Sequence, residues 1–403
     1  MLAVLRRRDF SLLWLAGLVS VAGDWVLMTA LPFYVYVETG STLATAGMTA
    51  AELAPAILLT SLAGVFADRW DRKRVLVVTN LLQAATVSAL LLVGEGQLWV
   101  VYVVAAAQSS VAAFSGPAES ALLPTLVPGD LLLEANAMNA LNNRLGRLAG
   151  VPLGAALYSW WGLDVVVLVD VLTFVGAALL VAPIVAPRPP VPEDAEVLGF
   201  WKEWVAGVDV VRADRTIAML FVVFGLMTFG GTMLDPLHVP WVRDVLHEDV
   251  RVVALLSMTS SLSGIAGSLV VGALGRRLSA RSLIGWGSTL AGVLLLVKFN
   301  VPVLGLAVAL SAVSGVTAVA SSVGVETLAQ ERTPEHVRGR VFGSLQASIW
   351  LASLLGAVVG GVVGEVVGLV PALDLASVLV ALSGVVALVT TRPRITRREV
   401  RSG

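Results

Sequence analysis

The sequence predicts an all-α integral membrane protein. It has twelve transmembrane helices in two pseudo-symmetric six-helix halves, with both termini in the cytoplasm. Three observations predict this. Long apolar runs lie near 12–36, 44–66, 75–93, 98–123, 140–161, 165–186, 216–242, 252–275, 282–297, 302–328, 341–364 and 369–391, in a chain that is 57% hydrophobic and 14% charged, with mean hydropathy +0.88. Runs of about 20 apolar residues cross a bilayer as helices, which satisfy their own backbone in lipid. The positive charges are one-sided. With the N-terminus inside, all of the 27 Lys and Arg except Arg243, Arg251 and Lys298 fall on the cytoplasmic side or on helix ends facing it. That bias sets orientation in a membrane. Finally, the second half repeats the first in order. Gly23 and Leu31-Pro32-Phe33 recur as Gly231 and Val239-Pro240-Trp241, and Glu119 recurs as Glu326. Gly150 and Gly154 recur as Gly356 and Gly360, and Asp170 with Thr173 as Asp374 with Ser377.

Each run carries its own signals. The first follows Arg6–Arg8 and reads as a retained anchor rather than a cleaved leader. Asp24 lies in its middle, on one helical face with Ser20, Leu27 and Leu31. An ionisable group there is costly and marks a functional site, so Asp24 is read as a proton or cation site. The second run holds Glu52 and ends in a charged loop. The fourth carries a polar stripe, Gln108, Ala112, Ser115 and Glu119, and the seventh carries Thr228, Thr232 and Asp235. Glu119 falls toward the cytoplasmic end and Asp235 toward the outer end, where a purely structural role is an even alternative. The fifth begins with Asn136, Asn139, Asn143 and Arg147 on one face, then Gly146, Gly150, Pro152 and Gly154. Ordinary small-residue packing is the alternative reading of those glycines. Asp170 and Asp374, in the sixth and twelfth runs, read as buried polar braces.

Four segments follow: a first half at 1–186, a linker at 187–215, a second half at 216–391 and a basic tail at 392–403. The linker opens Pro187-Arg-Pro-Pro190 and turns acidic. Trp201, Trp204, Val205, Val208 and Val211 then recur at helical spacing, as expected of a helix lying on the inner leaflet. An early start to the seventh span is the alternative. A parallel duplication places a solute site between the halves near the midplane.

The loop after the second run reads Gly64-Val-Phe-Ala-Asp68-Arg69-Trp70-Asp71-Arg72-Lys73-Arg74. It resembles the signature loop of the major facilitator superfamily, departing at Asp71 where that family usually has Gly. The resemblance implies that Gly64 allows close helix approach. It also implies that Asp68, with Arg69 and Arg72 beside it, latches to the start of the eleventh helix near Gly339 and Arg340. The corresponding loop of the second half keeps Gly272 but has Arg276 in place of the acid, so the latch is expected on one side only. The fifth run, with Arg147, Gly150, Pro152 and Gly154, is similar to the superfamily's antiporter motif, with the proline displaced by one. Arg8-Asp9-Phe10 to Trp14 and Glu331 to Phe342 resemble a bacterial branch of drug, macrolide and siderophore exporters. In that superfamily the first, fourth and seventh helices line the cavity, which implies a shared proton and substrate site of Asp24, Gln108, Glu119, Thr232 and Asp235.

The expected function is a secondary active transporter, not an enzyme. It would export an amphipathic organic compound by proton antiport and alternating access from the bacterial cytoplasmic membrane. Its expected partners are a small-molecule substrate, protons and the lipid bilayer, with no nucleic acid, and it is expected to be a monomer. No cofactor or metal is implied. The chain has no Cys, its three His are scattered, and no phosphate-binding loop is visible. An importer or facilitator of a small metabolite is the alternative within transport. A membrane sensor or enzyme is the alternative outside it, without convergent catalytic groups or an output domain to support it. The expected cavity is largely Leu, Val and Ala, suited to greasy cargo.

Overall fold

The computed structural model describes residues 2–94, 96–185, 215–274, 278–333 and 338–390, with backbone alone at 2–3, 60–69, 215–217, 274, 332 and 338–341. The expected linker helix and the basic tail lie outside the described residues. After a helical turn at Leu2–Leu5, twelve long helices follow: α1 (Arg8–Thr39), α2 (Thr42–Arg69), α3 (Arg72–Ser88), α4 (Trp99–Leu126), α5 (Leu132–Trp161), α6 (Leu163–Val181), α7 (Arg215–Met233), α8 (Val250–Leu274), α9 (Ala280–Asn300), α10 (Leu304–Arg332), α11 (Arg338–Val366) and α12 (Leu369–Thr390). Eleven of these regions are long and apolar enough to cross a membrane by composition. The exception is α5, whose first half carries Glu134, Arg144, Arg147 and several Asn. Its 30 residues still make a helix about 45 Å long, enough to span a bilayer with its headgroup regions.

The helices form two groups with the same order of neighbours. In the first, α1 packs on α5 and α6, α2 on α4, and α3 on α4 and α6. In the second, α7 packs on α11 and α12, α8 on α10, and α9 on α10 and α12. The groups meet mainly through α2 against α11 and α5 against α8. One apolar cluster joins them, bringing Phe33, Tyr36, Val151 and Ala155 against Met233, Leu237, Trp241 and Leu373.

Small residues bring the helices together within each group. A Cβ at Gly150 would collide with the Ala22 carbonyl and Trp25, and one at Gly154 with the Val26 carbonyl. The second group repeats the arrangement, with Gly356 against Phe229 and Gly360 against Met233. Without side chains, these glycines let two backbones touch, which gives packing where lipid offers no hydrophobic drive. The repeat is one residue off elsewhere. Gly23 sits on Asp170 and Thr173 of α6, but the glycine that packs on α12 is Gly230, while Gly231 faces open space.

The seventh apolar run is not one continuous helix. It stops at Met233, resumes as a short helix Asp235–Pro240, and ends in a π-turn Trp241–Val245. The reason is local. Pro236 and Pro240 have no N–H to donate back along the helix. The chain tightens instead through Leu234 N–H to Gly231 C=O and Leu237 N–H to Leu234 C=O, 3.2 and 3.1 Å.

Candidate functional site: a cavity between the two helix groups

A cavity of about 550 Å³ lies between the groups, where α7 is broken. Trp25, Met28, Thr29 and Pro32 of α1 border it, with Thr45, Thr49 and Glu52 of α2 and Arg147 and Val151 of α5. Opposite stand Gly231, Asp235, His238 and Val239 from the broken helix, Val253 and Ser257 of α8, and Leu295, Lys298 and Phe299 of α9. It holds more charge than the sequence led one to expect. Two carboxylates, two cations and an imidazole share its wall, so the expectation of a largely Leu, Val and Ala lining is corrected.

The charges are held by packing. Arg147 lies over the Trp25 ring, 4.7 Å from its centre, and within electrostatic reach of Asp235. Glu52 is within reach of both Asp235 and Asp24. Its backbone is tied to α4, where the Ser109 hydroxyl donates to the Glu52 carbonyl at 2.5 Å. Lys298, on the outer side by charge counting, is only 7% exposed. Its stem packs into the protein and its amine sits 5.5 Å from the ring centres of Trp241 and Phe299. The Trp241 indole in turn donates to the Phe299 carbonyl at 3.3 Å, which fixes the pair.

Of the five residues the sequence grouped as a site, Asp235 borders this cavity and opens into it. Asp24 lies one residue from Trp25, toward α6, within electrostatic reach of Glu52 and of the fully buried Asp170. Gln108 lies on α4, its side-chain carbonyl oxygen buried and without a partner among the described residues. Glu119 lies away from the cavity, against Gly17 of α1 and hydrogen-bonded to Asn139 of α5. Thr232 donates to the Thr228 carbonyl at 2.9 Å and packs on Gly356 of α11. Glu52, His238 and Lys298 are the lining groups that helical spacing did not single out together. The two polar braces also differ. Asp170 accepts from Thr173 inside the first group at 3.3 Å, whereas Asp374 accepts from Asn300 at 2.6 Å on a more exposed face.

At the end of the bundle holding the α1–α2 turn, the groups are in contact. The Tyr36 hydroxyl donates to Asp244. Glu365 of α11 accepts from the Ser41 hydroxyl at 2.9 Å, the Thr42 hydroxyl at 3.2 Å and the Leu43 N–H at 3.4 Å. Gly361 and Gly364 admit Ala46 and Thr42 against α11, and Arg251 stands 5.9 Å from the ring centre of Trp160. Toward the opposite end the described residues leave a gap between α5 and α8. A cleft of about 290 Å³ separates Asn143, Arg144 and Arg147 from Ser260, Ser261 and Ser268, and Arg147 borders both this cleft and the cavity.

The signature loop is partly visible. Gly64, Asp68 and Arg69 fall on the last turns of α2, and Gly339 and Arg340 on the first turn of α11, with their side chains outside the described set. Asp71 caps α3 by accepting from the Arg74 N–H at 3.1 Å. Arg72 donates to the Ala121 carbonyl of α4 at 3.0 Å.

Comparison with known proteins agrees with this architecture. Macrolide efflux protein A of Streptococcus pyogenes is 27% identical over 346 residues, 84% of this chain and 85% of its own. The multidrug efflux pump Tap of Mycolicibacterium fortuitum is 26% identical, covering 86% and 87%. The enterobactin exporter EntS of Citrobacter koseri is 26% identical, covering 83% and 80%. A solved bacterial homologue of the iron transporter ferroportin overlays with TM-score 0.74 at 18% identity, over 94% of this chain and 98% of that one. The nucleoside transporter NupG gives 0.75 at 15%, over 94% and 97%. The profile of the family described as Transmembrane secretion effector matches residues 1–402. The chain therefore belongs to that family of the major facilitator superfamily, as a multi-pass transporter of the bacterial cytoplasmic membrane.

Proposed function

We propose that this transporter exports an amphipathic organic compound in exchange for protons, by rocking its two six-helix halves about a central site. The observation that carries the reading is the charged cavity, bounded by both helix groups and closed at the Thr42 end by contacts between them. The matching order of neighbours in the two groups supports a pseudo-two-fold relation between duplicated halves. The positive-charge bias supports cytoplasmic termini, which makes the sealed Thr42 end the outer face. Efflux proteins among the relatives support export of a drug-, macrolide- or siderophore-like cargo, and one chain contains both halves of the cavity, which supports a monomer. Glu52 lies in electrostatic reach of both Asp24 and Asp235. Carboxylates gathered in a low-dielectric interior repel, and a proton or cation bound among them relieves this. Proton release and cargo binding at neighbouring groups would couple the two fluxes. Asp68 with Arg72 would hold the cytoplasmic end shut in the other state.

The test is transport in proteoliposomes with and without a pH gradient, against a panel of dyes, macrolides and siderophores. In Asp24→Asn, exchange down a cargo gradient survives while pH-driven accumulation is lost. Full pH-driven accumulation in that variant refutes the Asp24 assignment. The unexpected density of charge in the cavity favours one second reading, an importer of a small polar metabolite. Oriented vesicles distinguish the two by the direction of pH-driven flux.

A further inference from the structure

The charges of the cavity do not all answer one another. Arg147 has the opposite charge of Asp235 within electrostatic reach, whereas Glu52 has the like charges of Asp235 and Asp24. Lys298 is left over. The ion pairs between described residues are Asp71 with Arg74 and Asp249 with Arg251, both elsewhere. Among the described residues no acidic side chain stands against the Lys298 amine, and His238 beside it is a group of the same sign when charged. A buried ammonium without a counter-ion is costly, and intramembrane ionisable groups retained at that cost mark ligand paths. Trp241 and Phe299 offset part of it through their ring faces, but they offer no acceptor oxygen for its three N–H groups. The amine therefore sits at the cavity wall with an electrostatic vacancy, flanked by the apolar Val239, Leu295 and Phe299.

We propose that Lys298 is the counter-ion for an acidic group on the cargo, so that the compound carried is an amphipathic organic anion such as a carboxylate or a phenolate. The acid pairs with Lys298 and the apolar body lies against the rings and aliphatic side chains around it. Arg147 has the carboxylate of Asp235 within electrostatic reach, so Lys298 is the better anchor. This rests on the transporter reading above and narrows it, because a neutral or purely cationic drug would leave Lys298 unmatched.

The experiment compares dansylglycine with its neutral amide, dansylglycinamide, on the purified full chain in proteoliposomes. Energy transfer from protein tryptophan to the dansyl group reports binding. The parent protein binds the acid more tightly by about tenfold or more, the size expected of a charge-assisted contact. In Lys298→Met that ratio falls to near one, and Lys298→Arg keeps most of it. Equal affinities in the parent overturn the proposal without any variant, as they would if an inorganic anion held the amine or if it only propped the fold. A ratio that persists in Lys298→Met also overturns it. Uptake in the same vesicles keeps the two ideas apart. If the parent moves neither probe nor the cationic dye ethidium, the export reading fails. If it moves them without preferring the acid, only the Lys298 assignment fails.

Discussion

The two ends of the seam between the helix groups are built differently. At the Thr42 end, glycines and alanines let α2 and α11 touch, and two carboxylates, Asp244 and Glu365, each accept across the seam. At the Asp130 end, α5 presents Asn143 and Arg144 across a cleft to the serines of α8. Small residues gain packing in lipid when backbones meet, and hydroxyl and N–H donors hold these exposed carboxylates across the seam. Long polar side chains facing a gap gain water instead. The seam is thus made to close firmly at one end, while toward the other a cleft reaches Arg147, the residue common to cleft and cavity. A transporter needs each end to be closable at a cost small enough to reverse. The contrast predicts that closure at the Thr42 end rests on few contacts, each of which can be removed.

The largest effect is expected at Gly361. A side chain there meets Ala46 and the Thr42 backbone. Gly361→Leu forces the seam apart, and overpacking of about 3 kcal/mol, the upper end for a large side chain added where backbones touch, shifts the population more than about a hundredfold toward the opened Thr42 end. Spin-label distances across that end read the shift, and export falls with it. Gly225→Ala is the control, since nothing lies within 4 Å of that position. If both variants behave like the parent, close packing is not what seals the end.

Next is the proposed latch at the other end. Asp68→Asn removes a charge-assisted contact made in one state only, worth about 1.5–3 kcal/mol, so the resting population moves about tenfold or more toward an open Asp130 end. Distances between the ends of α4 and α10 report it. Distributions that match the parent leave the loop a role in topology alone.

Glu365→Gln gives a smaller shift toward the opened Thr42 end. The amide still accepts from one or two of Ser41, Thr42 and Leu43, so the change is about three- to tenfold. Tyr36→Phe, which removes a single donor to Asp244, shifts the same equilibrium by about threefold. Should Tyr36→Phe exceed Gly361→Leu, the ranking of packing over hydrogen bonds at this end is inverted.

Much of this was legible in the sequence. Apolar run length gave the helices because hydrocarbon thickness dictates them, and α5 was found despite its polar first half because its glycines continue the span. The spacing of Gly150 and Gly154 and its echo at Gly356 and Gly360 pointed to close helix contacts, which the packing bears out. Site membership was less legible. Helical spacing put Gln108, Glu119, Thr232 and Asp235 on polar faces, but a polar face can turn toward a neighbouring helix as well as a cavity. Thr232 turns to Gly356 and Glu119 to Asn139. Lys298 lay too near a helix end for its burial to be read from pattern, because one of the two rings beneath its amine, Trp241, is far away in sequence. Pro236 and Pro240 were in view, and their missing donors were the signal for the break that was not drawn.

The central claim is that the two ends of the seam open in turn around one cavity. Two label pairs in the same membranes test it most directly: Glu38 with Val367 across the Thr42 end, and Asp130 with Glu331 across the other, all exposed. Double electron–electron resonance distances are recorded across a pH series with and without cargo. The account predicts that whenever the Glu38–Val367 distance lengthens in part of the population, the Asp130–Glu331 distance shortens in the same fraction. Distances that lengthen together, or that stay fixed while cargo is transported, would contradict it.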